Sequence, residues 1–303
     1  MTFRLEGYIG RLLEIILQAN PLQVAFLKSS VASLETSESS ALEGYIAYCL
    51  SSGFDFSYLA ECYNTIVRDT LKEQFYFQRH GRYRHSSYAD VAASVYQNED
   101  YMKRYMYGLA LTTYLWPNHR VIHRCFVDAF PRQQEGQYLE IGPGHGVYFM
   151  DAMRLGRYRR HLGIDISQTS IALTRSLLSS GNFGQFSNYE FVCADFLTDQ
   201  VDGSFQAVVM GEVLEHVENP LAFLKKIRSL VDHKAFVFVT TAINAPAIDH
   251  IYLYDSPEAV TDMAVAAGFR VLKAQTAPYP GLTLQDSLVK KLPVNIALVM
   301  EPE

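Results

Sequence analysis

The chain has 303 residues, a formal net charge of −6, 49% hydrophobic and 19% charged residues, a composition of one large or two modest globular domains that excludes general disorder. The acidic balance speaks against broad nucleic-acid binding, which needs a positive field to recruit phosphates. No apolar stretch approaches bilayer length, and the opening MTFRLEGYIG lacks the uninterrupted apolar core of a secretory signal. The four scattered cysteines, Cys49, Cys62, Cys125 and Cys193, form no C-x-x-C pair, so a cytoplasmic chain without disulfide framework or thiolate zinc site is expected.

In chain order, the segment up to about residue 130 reads as helices. LEGYIGRLLEIILQA repeats apolar residues at helical spacing and stops at Asn20-Pro21; SSALEGYIAYCLSSG ends before Gly53, and FSYLAECYNTIVRDTLK follows it. EQFYFQRHGRYRHSS then reads as two short strands around a glycine turn. Helices followed by a hairpin suggest a winged-helix unit, with Arg79, His80, Arg82, Arg84 and His85 as a basic patch on a solvated wing. Eight of the twenty tyrosines and the only tryptophan fall between Tyr76 and Trp116. Within that stretch Tyr101 and Tyr105 share a helix face, and His119 and His123 lie four apart on a helix opened by Pro117.

After Pro131 short apolar runs alternate with helical stretches. QYLEIG, HLGIDI, YEFVCAD, FQAVVMG and KAFVFVTT are separated by VYFMDAMRLGRY, SQTSIALTRSLLSS and NPLAFLKKIRSLV, the pattern of a parallel sheet covered on both faces. SPEAVTDMAVAAG adds a helix, and FRVLKAQ and VNIALVM add two strands joined by a loop that closes part of a pocket wall. The expected fold class is α/β and doubly wound. The expected boundary separates a helical domain over 1–118 from a catalytic domain over 119–303.

Two stretches carry chemistry. In LEIGPGHGVY, Gly142, Gly144 and Gly146 follow a strand and open a helix, removing side chains where backbone turns sharply and a ligand approaches. The spacing is G-x-G-x-G, with Val147 where a dinucleotide fingerprint has its last glycine. Asp165 closes the next strand about twenty positions on, as suits a carboxylate gripping ribose hydroxyls, and Asp195 ends the one after. No lysine or arginine lies in the glycine turn and Glu140 precedes it; three carboxylates suit a positively charged nucleoside cofactor without phosphate. In MGEVLEHVEN, Glu212, Glu215 and His216 fall on one face if the segment is helical, a grouping that fits holding a metal ion or taking a proton.

Taken together, EIGPGHG, GIDIS, CADF and GEVLEHV, in that order, resemble the class I S-adenosylmethionine-dependent methyltransferases over roughly residues 120 to 303. The resemblance implies a seven-stranded Rossmann-like core with S-adenosylmethionine as cofactor. It places Glu140, Gly142, Gly144 and Gly146 around the methionine part, Asp165 and Ile166 at the ribose, Asp195 and Phe196 at the adenine edge, and Gly211 beside the sulfonium. The E-x-x-E-H pattern resembles two metal-dependent families, the ubiquinone-pathway O-methyltransferases and the small-RNA terminal 2′-O-methyltransferases. In those families a further histidine follows the fifth strand, and His250 in APAIDHIYLYDSPEAV stands in that position. The implied site is a divalent metal (Mg, Mn, Fe or Zn) on Glu212, Glu215, His216 and His250; the alternative is a metal-free enzyme with His216 as general base. These four are the candidate catalytic residues.

The aromatic-rich stretch before the core is the candidate acceptor pocket, with Tyr101, Tyr105, His119 and His123 as substrate contacts. The expected activity is methyl transfer to a small acceptor, a hydroxylated aromatic or an oxo acid of secondary metabolism, at oxygen, carbon or nitrogen. An RNA methyltransferase would need a basic stripe that this chain lacks. A nicotinamide oxidoreductase is disfavoured by the glycine spacing, and a cofactor-sensing regulator would need duplex binding by the N-terminal segment. By analogy with enzymes that use such a segment as a subunit contact, the N-terminal helices are expected to form a homodimer; no membrane partner is expected.

Overall fold

The apolar runs after Pro131 become strands β1 (Gln137–Ile141), β2 (Arg160–Asp165), β3 (Tyr189–Cys193), β4 (Phe205–Gly211), β5 (Val231–Ile243), β6 (Phe269–Ala277) and β7 (Val294–Pro302) in the structure, a computed structural model that describes residues 7–303. Residues 1–6, which include the start of the opening helical run and much of the segment read for a secretory signal, lie outside the described residues. The strands form one seven-stranded sheet ordered β3-β2-β1-β4-β5-β7-β6. The first five run parallel, and β7 is inserted antiparallel between β5 and β6. Strand order reverses between β1 and β4, so the carboxyl ends of these neighbours open the crevice where such sheets bind ligands.

Ahead of the sheet lie helices α1 (Gly7–Ala19), α2 (Val24–Ala32), α3 (Thr36–Ser51), α4 (Phe56–His80), the single turn α5 (Tyr88–Val91), α6 (Glu99–Leu115) and α7 (Pro117–Ala129). Within and after it come α8 (Val147–Leu155), α9 (Gln168–Ser179), α10 (Pro220–Leu230), α11 (Pro257–Ala266) and α12 (Leu284–Val289). Alternating strand residues face two cores. Tyr138, Val209 and Phe238 pack with the N-terminal helices and α8, whereas Leu139, Val208 and Val237 pack with α10 and α11. One apolar cluster therefore runs from Leu12 and Leu42 through Tyr107 and Phe126 to the sheet. Among the described residues no helix is long and apolar enough to cross a membrane.

The winged-helix expectation fails. Residues 56–80 form one helix, and no described residue before β1 is in a strand. The local alternation of FYFQR is overridden by a buried stripe at Leu59, Tyr63, Ile66, Glu73 and Phe77, which keeps helical spacing to the end. Asp55 caps the start by accepting from the Tyr58 N–H at 2.7 Å. Gly81 ends the helix at φ 68° as a left-handed cap, its N–H donating to the Phe77 carbonyl. The supposed wing folds back: Arg84 Nε donates to buried Glu73 at 2.9 Å and its guanidinium lies 4.1 Å from the Tyr76 ring. That arginine, itself at the surface, is tied to a buried carboxylate.

Between α5 and α6 the chain makes a π turn, Ala92–Tyr96, a feature that often marks functional sites. It brings Tyr96 over the carboxyl ends of the strands, where it lines a cavity together with α6.

Candidate active site

The cavity has a volume of about 320 Å³, at the lower end of the usual range for small-molecule sites. Its floor is the β1, β2 and β4 ends, and its opposite wall is α6 with the start of α7. Glu140, Asp165, Asp195, Glu212 and Asp249 line it, and no lysine or arginine is among the described lining residues. An electronegative site of this kind favours a cationic ligand.

Glu140, one residue before the end of β1, is buried and accepts a hydrogen bond from the Tyr138 hydroxyl. Burial raises its pKa to about 8. Asp165 ends β2 and accepts from the main-chain N–H of Gly144 at 3.2 Å and of Ser167 at 2.8 Å. Burial raises it to about 6 despite those bonds. Gly142 and Gly144 have φ of 69° and 54°; a Cβ on Gly142 would lie 2.7 Å from Val213, so the turn requires glycine there. Gly211 ends β4, and a Cβ there would meet only Thr240 Oγ1, at an ordinary contact distance of 3.8 Å. Ile166, Asp195 and Phe196 line the same end of the cavity. The donor and acceptor set, the bare glycine backbone and the absence of cationic neighbours fit the ribose, amino acid and sulfonium parts of S-adenosylmethionine. Gly146 is different: it does not line the cavity, and its missing side chain makes room for Thr174 of α9, 2.9 Å from its Cβ position.

The E-x-x-E-H segment is not one helical face. Glu212 sits at φ 52°, directly after β4, and only Leu214–His216 form a short 3₁₀ turn. The left-handed kink lets the Glu212 N–H donate to the Thr240 carbonyl at 3.1 Å. It also lets its carboxylate accept from Asn295 Nδ2 of β7 at 3.0 Å. Glu215 is fully buried: one oxygen accepts from Thr241 Oγ1 at 2.7 Å, and Oε1 has no hydrogen-bond partner. The Glu215 carbonyl accepts from the N–H groups of Ile251 and Tyr252, stitching the loop after β5 to this turn and bringing His250 in.

Glu215, His216 and His250 present ligand atoms within 4.8 Å of one another. Three of the four expected ligands thus converge. Glu212 stands outside that group, although its carboxyl neighbours that of Glu215; burial raises both, and each influences the other's proton. His250 Nδ1 contacts the Ala245 carbonyl at 2.5 Å, and a carbonyl only accepts, so Nδ1 carries the proton and Nε2 is bare. Burial, then the neighbouring His216, lowers His250 to about 3, so it stays neutral.

Of the expected substrate contacts, Tyr105 and His119 line the cavity, whereas Tyr101 and His123 do not. Tyr101 donates to Asp69 at 2.6 Å, and His123 Nε2 pairs with Asp151 at 2.8 Å. Tyr101 and Tyr105 do share a face, their rings stacked 5.7 Å apart, but a shared helix face did not bring both members of either pair to the cavity. Tyr105 is itself held, donating to Asp249 at 3.0 Å. Of the loop joining the last two strands only Pro293 reaches the cavity. Sequence reading missed Tyr88, Tyr96, Asp249 and Asn295, all cavity-lining. Tyr88 and Tyr96 belonged to the tyrosine-rich stretch without being singled out, Asp249 carried a signal as the acid immediately before His250, and Asn295 carried none.

The sheet order and its flanking helices are those of the class I S-adenosylmethionine-dependent methyltransferase fold. Residues 114–274 match the family described as methyltransferase domain, and the chain belongs to it. It is 28% identical over 142 residues to the ubiquinone biosynthesis O-methyltransferase of Paraburkholderia xenovorans, covering 47% of this chain and 59% of that one. With the enzyme of the same name from Cupriavidus pinatubonensis it shares 34% identity over 103 residues, 34% of this chain and 40% of that one. The chain spans about half the length of the curated relatives it matches. Among solved structures, mitomycin 7-O-methyltransferase MmcR aligns with TM-score 0.55 at 12% identity, over 82% of this chain and 71% of that one. A putative methyltransferase in complex with the Trm112 activator of Haloferax volcanii aligns with TM-score 0.53 at 13% identity, over 69% and 98%. These likenesses concern the fold.

Proposed function

We propose that the chain transfers the methyl group of S-adenosylmethionine to an oxygen of a small acceptor, and that Glu215, His216 and His250 hold a divalent cation that orients that acceptor. The observation that carries the reading is the meeting of these three side chains just after β4, where His216 and His250 line the cavity that Glu140 and Asp165 also line and Glu215 lies buried behind them. The unpartnered Glu215 Oε1 is an acceptor without a donor in a buried place, which a cation would satisfy. Two imidazoles and one carboxylate suit Mn, Fe or Zn better than Mg or Ca. Such an ion lowers the pKa of a coordinated hydroxyl and fixes its direction.

The protein's own contribution is placement. Asp165 would accept from the ribose hydroxyls, Glu140 would take the ammonium group, and Gly211 would let the sulfonium end approach the backbone. A sulfonium methyl is already electrophilic, so in-line positioning supplies much of the acceleration. Met102, Met106, Leu109 and Trp116 line the wall opposite the strand ends, which favours a planar or lipophilic acceptor and excludes water from the reacting atoms. The ubiquinone-pathway relatives and the acidic charge support a small hydroxylated acceptor over RNA.

The test is a thermal-shift titration of chelator-stripped protein with S-adenosylhomocysteine present, against magnesium, manganese, iron(II), zinc and calcium. A saturable rise with manganese, iron or zinc, lost in Glu215→Gln and His250→Asn, is expected. A response to S-adenosylhomocysteine that no metal alters would remove the cation from the reading and leave His216 as the base; no response to S-adenosylhomocysteine would remove the reading altogether.

A further inference from the structure

Asp249, on the loop after β5, is 2% exposed, and three separate elements aim a polar atom at it. Tyr105 of α6 donates to Oδ1 at 3.0 Å. Tyr96 of the π turn donates to Oδ2 at 3.2 Å. His216 Nδ1 lies 3.1 Å from the Asp249 main-chain carbonyl, 3.1 Å from the Tyr96 hydroxyl oxygen and 3.4 Å from Oδ2. Resting on the reading of His216 as a residue of the reaction site, we infer that Asp249 is a positioning residue, which by accepting the Tyr96 proton keeps His216 protonated on Nδ1 and leaves Nε2 bare for the site.

The argument is one of donors and acceptors. A carboxylate and a carbonyl only accept, and a tyrosine hydroxyl has one proton to give. With the Tyr96 proton drawn to Oδ2, its oxygen turns lone pairs toward His216. All three atoms around Nδ1 are then acceptors, so Nδ1 must be the protonated nitrogen. Without the carboxylate, the Tyr96 O–H has Nδ1 as its nearest acceptor, and the imidazole proton moves to Nε2. That is the nitrogen which must be free, whether His216 ligates a cation or takes a proton. Tyr96 competes with the carbonyl for Nδ1, and Asp249 decides the competition. Tyr105 uses the other carboxylate oxygen and holds the side chain in place from α6, the helix that walls the acceptor side.

The test needs no acceptor. Chelator-stripped protein labelled with ¹⁵N-histidine reports, through couplings from the ring protons, which nitrogen of each imidazole carries hydrogen; His216→Gln identifies the relevant signals by their loss. In the unsubstituted chain His216 is expected wholly as the Nδ1–H tautomer. Asp249→Leu keeps the shape and the main-chain carbonyl but removes both acceptors, and should shift His216 to Nε2–H. Asp249→Leu combined with Tyr96→Phe removes the competing donor and should restore Nδ1–H, whereas Tyr105→Phe alone should leave the tautomer unchanged. A His216 that is Nε2–H in the unsubstituted chain overturns the proposal without any variant. So does an Asp249→Leu protein that melts cooperatively and keeps the Nδ1–H form. Failure of cofactor or metal binding would leave these tautomer signals as they are, so the two readings fail separately.

Discussion

Asp165 spends its carboxylate on two main-chain N–H groups before any ligand arrives, and burial still raises it to about 6. The ribose hydroxyls would need it as an acceptor, so the ionised form is the one that binds. The group is ionised above its pKa, and affinity is therefore lost as pH falls through about 6. Between about pH 7.5 and pH 5 the dissociation constant for S-adenosylhomocysteine should rise by roughly tenfold, the ratio of neutral to ionised carboxyl at the lower pH. Asp165→Asn should remove the part of the pH dependence centred near 6, leaving the part due to Glu140, and weaken binding at neutral pH by about 1.5–3 kcal/mol, the usual worth of a hydrogen bond to a charged group. Isothermal titration calorimetry across this range measures both. A flat pH profile in the unsubstituted chain would take Asp165 off the ribose.

Helix α6 carries the acceptor wall, and its distance from α4 is set by Gly108. A Cβ there would lie 2.5 Å from Ile66 Cγ1 and 2.6 Å from the main-chain oxygen of Cys62. The oxygen belongs to the α4 backbone and cannot step aside, so Gly108→Ala should push the helices apart and cost about 1–3 kcal/mol. Gly44 in α3 is the contrast: its nearest neighbour would be Phe183 at 3.8 Å, so Gly44→Ala should stabilise by up to about 1 kcal/mol through helix propensity. Urea unfolding of the two variants should move the midpoint in opposite directions. Elements of this kind were unevenly legible. The strands read from QYLEIG to VNIALVM are all present, because buried parallel strands leave continuous apolar runs. The end of α4 was misread because FYFQR alternates locally while its burial follows contacts made turns earlier. Glu212 was placed on a helix because spacing says nothing of a left-handed φ. Asn295 reaches Glu212 from 83 residues away, and no local pattern in the sequence joins them.

At the scale of the whole molecule, the carboxyls grouped at the strand ends make the ligand-free fold sensitive to pH. Glu140 is raised from 4.5 to about 8 by burial, and Glu212 and Glu215 are raised in the same direction. A carboxyl whose folded pKa lies above its unfolded value holds a proton in the folded state that the unfolded chain has released, so stability falls as pH rises toward the folded pKa. Buried histidines act oppositely: His119, His145 and His161 are lowered from 6.5 to about 4 by burial, so they favour folding as pH rises toward 6.5 and then fall silent. Between pH 6.5 and 8 only the carboxyl effect remains among these groups. The melting temperature of the ligand-free protein should therefore decline across that window, and Glu140→Gln, which keeps the size and cannot ionise, should flatten the decline. S-adenosylmethionine, bringing positive charge to the same carboxyls, should stabilise more at pH 8 than at pH 6.5, because there it meets Glu140 at its own pKa. Differential scanning calorimetry with and without the cofactor reads both effects. A melting temperature independent of pH over this window would mean that Glu140 is ionised throughout, paired with Tyr138 as an anion before any cofactor binds.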